Sequence, residues 1–185
     1  MVSRFDIEPA CVGEAWVFQC RSYYHPSFVV TQRTWDFGDG TPPMVGNPTE
    51  PHIYTAPGTY TISLSITNGI CTTISSKILT VPPLPNSGFT ISGGECVGSP
   101  VLFTPTQTNH SAYYWQFGNG ATAAQTTPVF TYTQTGTYEV SLQVLGSNGC
   151  VSGIQTQSLT IIEAPEQQPV TATDTVFCAG NSTLL

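Results

Sequence analysis

The sequence predicts an all-β protein that consists of two antiparallel β-sandwiches in tandem. A motif that begins at Trp35 returns at Trp115, so the chain repeats itself with a period of about 80 residues. The clearest periodic segments alternate apolar and polar residues, as strands with one buried face do. No segment has helical apolar spacing, and Thr, Val, Ile and aromatic residues dominate the periodic segments. We therefore expect almost no helix.

Each repeat contains the same aromatic and glycine residues at closely similar offsets. The first copy reads Trp35-Asp36-Phe37-Gly38-Asp39-Gly40-Thr41, and the second reads Trp115-Gln116-Phe117-Gly118-Asn119-Gly120-Ala121. In both copies a Gly-Thr-Tyr sequence follows, and then a cysteine. A segment of this length can enclose its own hydrophobic core. We therefore interpret each repeat as a small domain.

Strand positions follow from the alternation and from the turn residues between segments. In 60–67 every even position is apolar and every odd position is Ser or Thr, and 138–144 has the same alternation. Further strands are expected at 15–20, 33–37, 51–54 and 75–81, and in the second repeat at 100–103, 113–117, 129–132 and 155–162. Short connections between such strands suit an antiparallel sandwich.

Proline-rich segments mark the boundaries of the modules. We predict a first sandwich at 1–81, a linker at 82–86, a second sandwich at 87–162, a linker at 163–170 and a truncated third module at 171–185. Three prolines within the first linker favour a stiff, extended connection, so the modules would form a rod. The third module is expected because Cys178-Ala179-Gly180 resembles Cys96-Val97-Gly98. An incomplete sandwich needs a pairing partner, which suggests a longer surface assembly.

The composition indicates an extracellular protein and argues against two classes of partner. Only 8% of the residues are charged, against about 25% in ordinary soluble domains. The net charge is −7 and every Lys and Arg precedes position 78, so the second half has no cation that could hold a phosphate. We therefore expect no nucleic-acid binding. No apolar run is long enough to span a bilayer, so we expect no direct membrane insertion.

The cysteines follow the repeat and favour disulfides over a metal site. Six cysteines can pair in many ways. A pairing that respects the repeat joins Cys11 to Cys71 and Cys96 to Cys150, and each bond would stabilise its domain by roughly 4 kcal/mol. Such bonds imply an oxidising compartment. The chain has no Cys-x-x-Cys or His-x-x-x-His spacing, which argues against zinc.

The motif that starts at Trp35, together with His52-Ile53-Tyr54 and Pro57-Gly58-Thr59-Tyr60, resembles the signature of PKD-type domains, which are immunoglobulin-like β-sandwiches. The resemblance covers the first repeat well and the second with departures. Tandem modules with these cysteines are similar to those of large surface and secreted proteins of the Bacteroidota, often exported by the type IX system. The resemblance implies a spacer, adhesin, filament or gliding-associated role. The alternative it implies is an accessory glycan- or protein-binding module of a secreted hydrolase.

We expect the shared motif to be structural. Its tryptophans would fill the cores, its glycines would allow tight turns, and Asp36 and Asp39 would accept hydrogen bonds from the turn amides. Calcium is the rival use of these two carboxylates, because it prefers oxygen ligands. The second repeat has Gln116 and Asn119 instead, which keep the hydrogen-bonding capacity and lose both charges. We therefore favour the structural role and expect no cofactor.

No catalytic constellation is expected, and one surface is a candidate for ligand binding. The three histidines are scattered, and Cys20 shares a strand face with Trp16 and Phe18, as a buried inert thiol would. The fates of Cys20 and Cys178 stay open. Tyr23 and Tyr24 could form an aromatic surface for a glycan or a protein. The expected partners are neighbouring repeats of the same protein or other copies in a surface assembly.

Overall fold

The structure, a computed structural model, describes residues 2–25 and 29–163, which form fourteen strands and no helix. Within these ranges there is accordingly no helix long and apolar enough to cross a membrane. The expected third module, Cys178 and nearly all of the expected second linker lie outside the described residues. The all-β prediction is confirmed for the described part of the chain.

The first module contains seven strands in two antiparallel sheets. In chain order these are β1 Phe5–Glu8, β2 Ala15–Cys20, β3 Gln32–Asp36, β4 Met44–Val45, β5 Thr49–Ile53, β6 Gly58–Thr67 and β7 Thr72–Val81. One sheet has the order β1-β2-β5 and the other has the order β4-β3-β6-β7.

The second module has the same topology. Its strands are β8 Phe89–Gly93, β9 Pro100–Pro105, β10 Ala112–Gln116, β11 Thr122–Ala123, β12 Val129–Thr131, β13 Gly136–Leu145 and β14 Gln155–Ile161. The sheet orders β8-β9-β12 and β11-β10-β13-β14 correspond strand by strand to those of the first module. The repeat in the sequence is therefore a repeat of the fold.

A tryptophan lies at the centre of each core. Trp35 is 0% exposed and Trp115 is 1% exposed, and each has the edge of a phenylalanine from the opposite sheet against it. The indole N–H of Trp35 donates to the carbonyl of Asn47 at 3.2 Å, and that of Trp115 donates to the carbonyl of Gln125 at 3.0 Å. Each ring therefore fills its core while its polar atom keeps a hydrogen bond.

Candidate functional site: the junction between the modules

The loop between the first two strands of each module holds a cysteine in a tight turn. In the first module the carbonyl of Cys11 accepts a hydrogen bond from the Glu14 N–H at 3.0 Å. In the second module the carbonyl of Cys96 accepts one from the Ser99 N–H at 3.0 Å. We call each of these turns the first-loop turn.

The first-loop turn lies at the end of the module where the chain leaves it. The N–H of Gly13 donates to the carbonyl of Tyr54, whose ring packs on Tyr60 near the start of β6. The same end of β6 pairs with the last residue of β7, since Gly58 lies opposite Val81. Cys11 is therefore close to the exit of the first module.

The second cysteine of each module lies in the hairpin between its two longest strands, at the other end. The side-chain oxygen of Asn68 accepts from the Cys71 N–H at 2.8 Å, and that of Asn148 accepts from the Cys150 N–H at 3.1 Å. We call this the hairpin turn. Because β6 has 10 residues, about 30 Å separate the two ends of the module.

The structure places the disulfide between the modules. Cys11 is bonded to Cys150, with Cα atoms 5.8 Å apart and a sequence separation of 139 residues. The predicted pairing of Cys11 with Cys71 and of Cys96 with Cys150 is therefore wrong. Both predicted bonds would join opposite ends of one sandwich, far beyond the Cα separation of roughly 4.4 to 6.8 Å that a disulfide allows.

The linker is held against the same end of the second module that carries Cys150. The ring of His110 hydrogen-bonds through Nε2 with the carbonyl of Asn86 at 3.0 Å, and the Ser87 hydroxyl donates to the carbonyl of Gly153 at 2.8 Å. Pro85 lies so close to Gly146 that a Cβ on this glycine would be 2.9 Å from the Pro85 ring. The linker and the disulfide thus connect the modules at one place.

The carboxylates of the shared motif bind their own turn. Asp36 accepts from the Gly38 N–H at 2.9 Å, and Asp39 accepts from the N–H and the hydroxyl of Thr41 at 3.1 and 2.6 Å. The other oxygen of Asp39 is 2.7 Å from Nε2 of His52. No group of three or more His, Cys, Asp or Glu residues that could hold a metal ion exists in the part of the chain that the structure describes.

His52 and Asp39 change together between the repeats. The His52 ring stacks on Phe37 with centroids 4.0 Å apart, and Phe130 stacks on Phe117 in the same way at 4.4 Å. Where the second repeat has Phe130 it also has Asn119, whose side-chain oxygen accepts from the Ala121 N–H at 3.1 Å. The charge on Asp39 therefore accompanies a histidine that can pair with it.

The environment of Asp39 lowers its pKa. Burial acts to raise the pKa, but hydrogen bonds from Thr41 and His52 and the charge of His52 outweigh it and bring the pKa to about 2. A carboxylate whose pKa is lower in the folded state stabilises that state at pH values above its unfolded pKa. That stabilisation decreases below the unfolded pKa of 3.8 and is lost as the pH falls through the folded pKa of about 2.

Replacing Asp39 by asparagine should destabilise the first module by about 1 to 2 kcal/mol at pH 5 and by less than about 0.5 kcal/mol at pH 2. The reason is that asparagine keeps the turn hydrogen bonds, as Asn119 does, but has no charge for His52. Urea unfolding followed by the NMR signals of each module measures the effect, and the second module is the internal control. A loss that is equal at both pH values would contradict the account.

The other predicted residues lie apart from the junction. The Tyr23 side chain is 80% exposed, Tyr24 is half-buried, and the backbone of Tyr23 is bridged to Val2 by two hydrogen bonds. Cys20 is half-buried, packs against the first core, and has its Sγ 3.3 Å from the Ser22 hydroxyl. The structure has free thiols at Cys20, Cys71 and Cys96.

Sequence reasoning located the linker and the bonded cysteines but did not predict that Gly146 and His110 contact the linker. The repeat gives no signal for these contacts. They occur at a single boundary between modules, so the sequence does not show them twice. The pairing of His52 with Asp39 could have been found, because both residues differ between the copies.

Comparison with known proteins agrees with this architecture. The family model for the PKD domain matches the chain twice, at residues 5–83 and 80–161. The PKD1 domain of Vibrio anguillarum Epp is 27% identical, and its match covers 44% of this chain and 96% of that domain with a TM-score of 0.36. The fibronectin(III)-like modules of Clostridium thermocellum CbhA are 11% identical over 88% of this chain and 95% of theirs, with a TM-score of 0.39.

A two-domain fibronectin type-III segment of chicken tenascin is 14% identical, and its match covers 85% of this chain and 97% of the segment with a TM-score of 0.38. The two matches to the PKD family model together include every strand of both sandwiches, from β1 to β14. The chain therefore belongs to the PKD domain family.

Proposed function

We propose that this chain is a non-catalytic spacer whose modules are held in a fixed relation by a disulfide at their junction. The observation that carries this proposal is the bond between Cys11 and Cys150 beside the linker. A single connecting segment, 82–88, leaves rotations about its backbone bonds, whereas a second covalent connection at the same junction removes most of them. A spacer needs this property and a flexible tether does not.

Two of the three histidines support a structural role for this chain. His52 is stacked on Phe37 and paired with Asp39, and His110 bonds to the linker. Neither ring is placed beside a serine or cysteine nucleophile by any of these contacts, as acyl transfer would require. PKD domains are generally non-catalytic modules, and these contacts agree with that role.

The same bond supports a proposal about the cellular setting. PKD domains and a disulfide are typical of extracellular or cell-surface proteins, because disulfides persist in oxidising compartments. We propose a surface assembly of the adhesin, filament or gliding-associated type. Its partners would be neighbouring repeats of the same protein or other copies of it.

Opening the junction should let the two modules tumble separately. We expect the rotational correlation time from ¹⁵N relaxation to fall to about half in the Cys11→Ser/Cys150→Ser variant, because each module then moves as a smaller body. The Cys71→Ser variant is the matched control, since its thiol lies outside the junction, and should keep the original value. Separate tumbling of the modules in the oxidised wild-type chain would refute the spacer.

A further inference from the structure

Each module has one cysteine in the first-loop turn and one in the hairpin turn, at opposite ends, and the junction uses only one of these from each module. Cys11 comes from the exit end of the first module, and Cys150 comes from the entry end of the second. The entry end of the first module still has Cys71, and the exit end of the second still has Cys96, both as thiols. The two remaining thiols are therefore one hairpin-turn cysteine, Cys71, and one first-loop-turn cysteine, Cys96.

Cys96 is held in the same way as its bonded counterpart Cys11. Both cysteines precede a glycine by two residues, and these glycines have φ angles of 83° at Gly13 and 81° at Gly98. Each glycine N–H donates to the carbonyl of the tyrosine that directly follows β5 or β12, at 2.9 Å in both modules. The first-loop turn therefore holds the cysteine backbone in the same way, whether or not the thiol is bonded.

Cys71 likewise matches its bonded counterpart Cys150. Cys71 lies three residues after Asn68, and Cys150 lies two residues after Asn148. In both turns the asparagine side-chain oxygen accepts from the cysteine N–H, at 2.8 Å for Cys71 and 3.1 Å for Cys150. The glycines have φ angles of 89° at Gly69 and 82° at Gly149. Cys71 is exposed and Cys96 is half-buried, so both are open to a partner in the described structure.

We propose that Cys71 and Cys96 are cross-linking sites for further PKD modules that dock end to end on this pair. The rule is directional: the cysteine of a first-loop turn bonds to the cysteine of a hairpin turn in the next module. Cys96 would take the hairpin cysteine of a module at the exit end, and Cys71 would take the first-loop cysteine of a module at the entry end. The inference rests on the proposed spacer function and extends it to a ladder with one disulfide per junction.

The chemistry is ordinary thiol–disulfide exchange with a small disulfide as the oxidant. The Cys71 thiolate attacks oxidised glutathione, forms a mixed disulfide and releases one glutathione thiolate. The Cys96 thiolate of the neighbouring module then attacks the Cys71 sulfur and releases the second. Two protein thiols thus lose two protons and two electrons, and one oxidised glutathione becomes two reduced molecules.

Two complementary variants of the full chain test the directional rule. Both carry Cys20→Ser and Cys178→Ser; one adds Cys96→Ser and keeps Cys71, and the other adds Cys71→Ser and keeps Cys96. In a glutathione redox buffer at high protein concentration, the mixture should form about ten-fold more disulfide-linked dimer than either variant alone. One variant is isotope-labelled, so mass spectrometry identifies the cross-linked peptides.

Dimers of each variant with itself in amounts equal to the mixed dimer would overturn the proposal, because the turns would then have no directional preference. Glutathione adducts without any mixed dimer would overturn it as well. Peptide mapping of Cys11–Cys150 in both variants verifies that the modules are folded. The ¹⁵N correlation time tests the spacer function independently of this cross-linking experiment. If the cross-linking fails while the oxidised chain still tumbles as one body, only the ladder proposal is refuted.

Discussion

Replacing Trp35 by alanine is expected to lower the free energy of unfolding of the first module by about 3 to 5 kcal/mol. The ring is fully buried, with the Phe5 ring at 5.4 Å and the Phe18 ring at 6.1 Å from it. Alanine would leave a cavity between the sheets and would remove the hydrogen-bond donor to the carbonyl of Asn47. A loss of this size is a large fraction of the stability of a small domain.

The repeat supplies the controls for this experiment. Trp115→Ala should cause a similar loss in the second module, and Tyr23→Ala should change stability by less than about 0.5 kcal/mol because its side chain is exposed. Urea unfolding followed by module-specific NMR signals separates the two domains. A loss below about 1 kcal/mol for Trp35→Ala would show that this ring does not support the core.

Alternation in the sequence located the long strands because they have one buried face. In β6 the residues Ile62, Leu64 and Ile66 are all fully buried, as their even spacing predicts. The edge strands β1 and β8 were not predicted, because four or five residues give too short a pattern to stand out. The two-residue strands β4 and β11 are defined only by their pairing with β3 and β10. Two residues are too few to show an alternating pattern in the sequence.

The repeat predicts which cysteines are equivalent in the two modules, but it does not predict which cysteines are bonded. Cys11 is equivalent to Cys96, and Cys71 is equivalent to Cys150. This equivalence does not say which of the four cysteines lie next to each other in space. Adjacency depends on which end of the sandwich each turn occupies. That is fixed by the direction of β6 and by the path of the linker. Counting strand directions between the two cysteines of a module would have placed them at opposite ends.

Stretching the oxidised chain from its two ends should release far less length than stretching the reduced chain. The force passes from the N-terminus to Cys11, across the disulfide to Cys150, and on to the C-terminus. Within residues 2–163, only the segments outside this bond can extend, about 20 residues or roughly 80 Å. Reduction exposes the enclosed residues to the force and should add unfolding steps that total roughly 500 Å.

Single-molecule force spectroscopy with handles at the chain ends measures this difference directly. The Cys11→Ser/Cys150→Ser variant should give the long extension without a reductant, and Cys71→Ser should keep the short one until a reductant is added. Long extension of the oxidised wild-type chain would mean that the bond does not carry the load. A short extension of the oxidised chain would mean that the disulfide protects the folded sandwiches from the force, because most of both cores lies between the bonded cysteines.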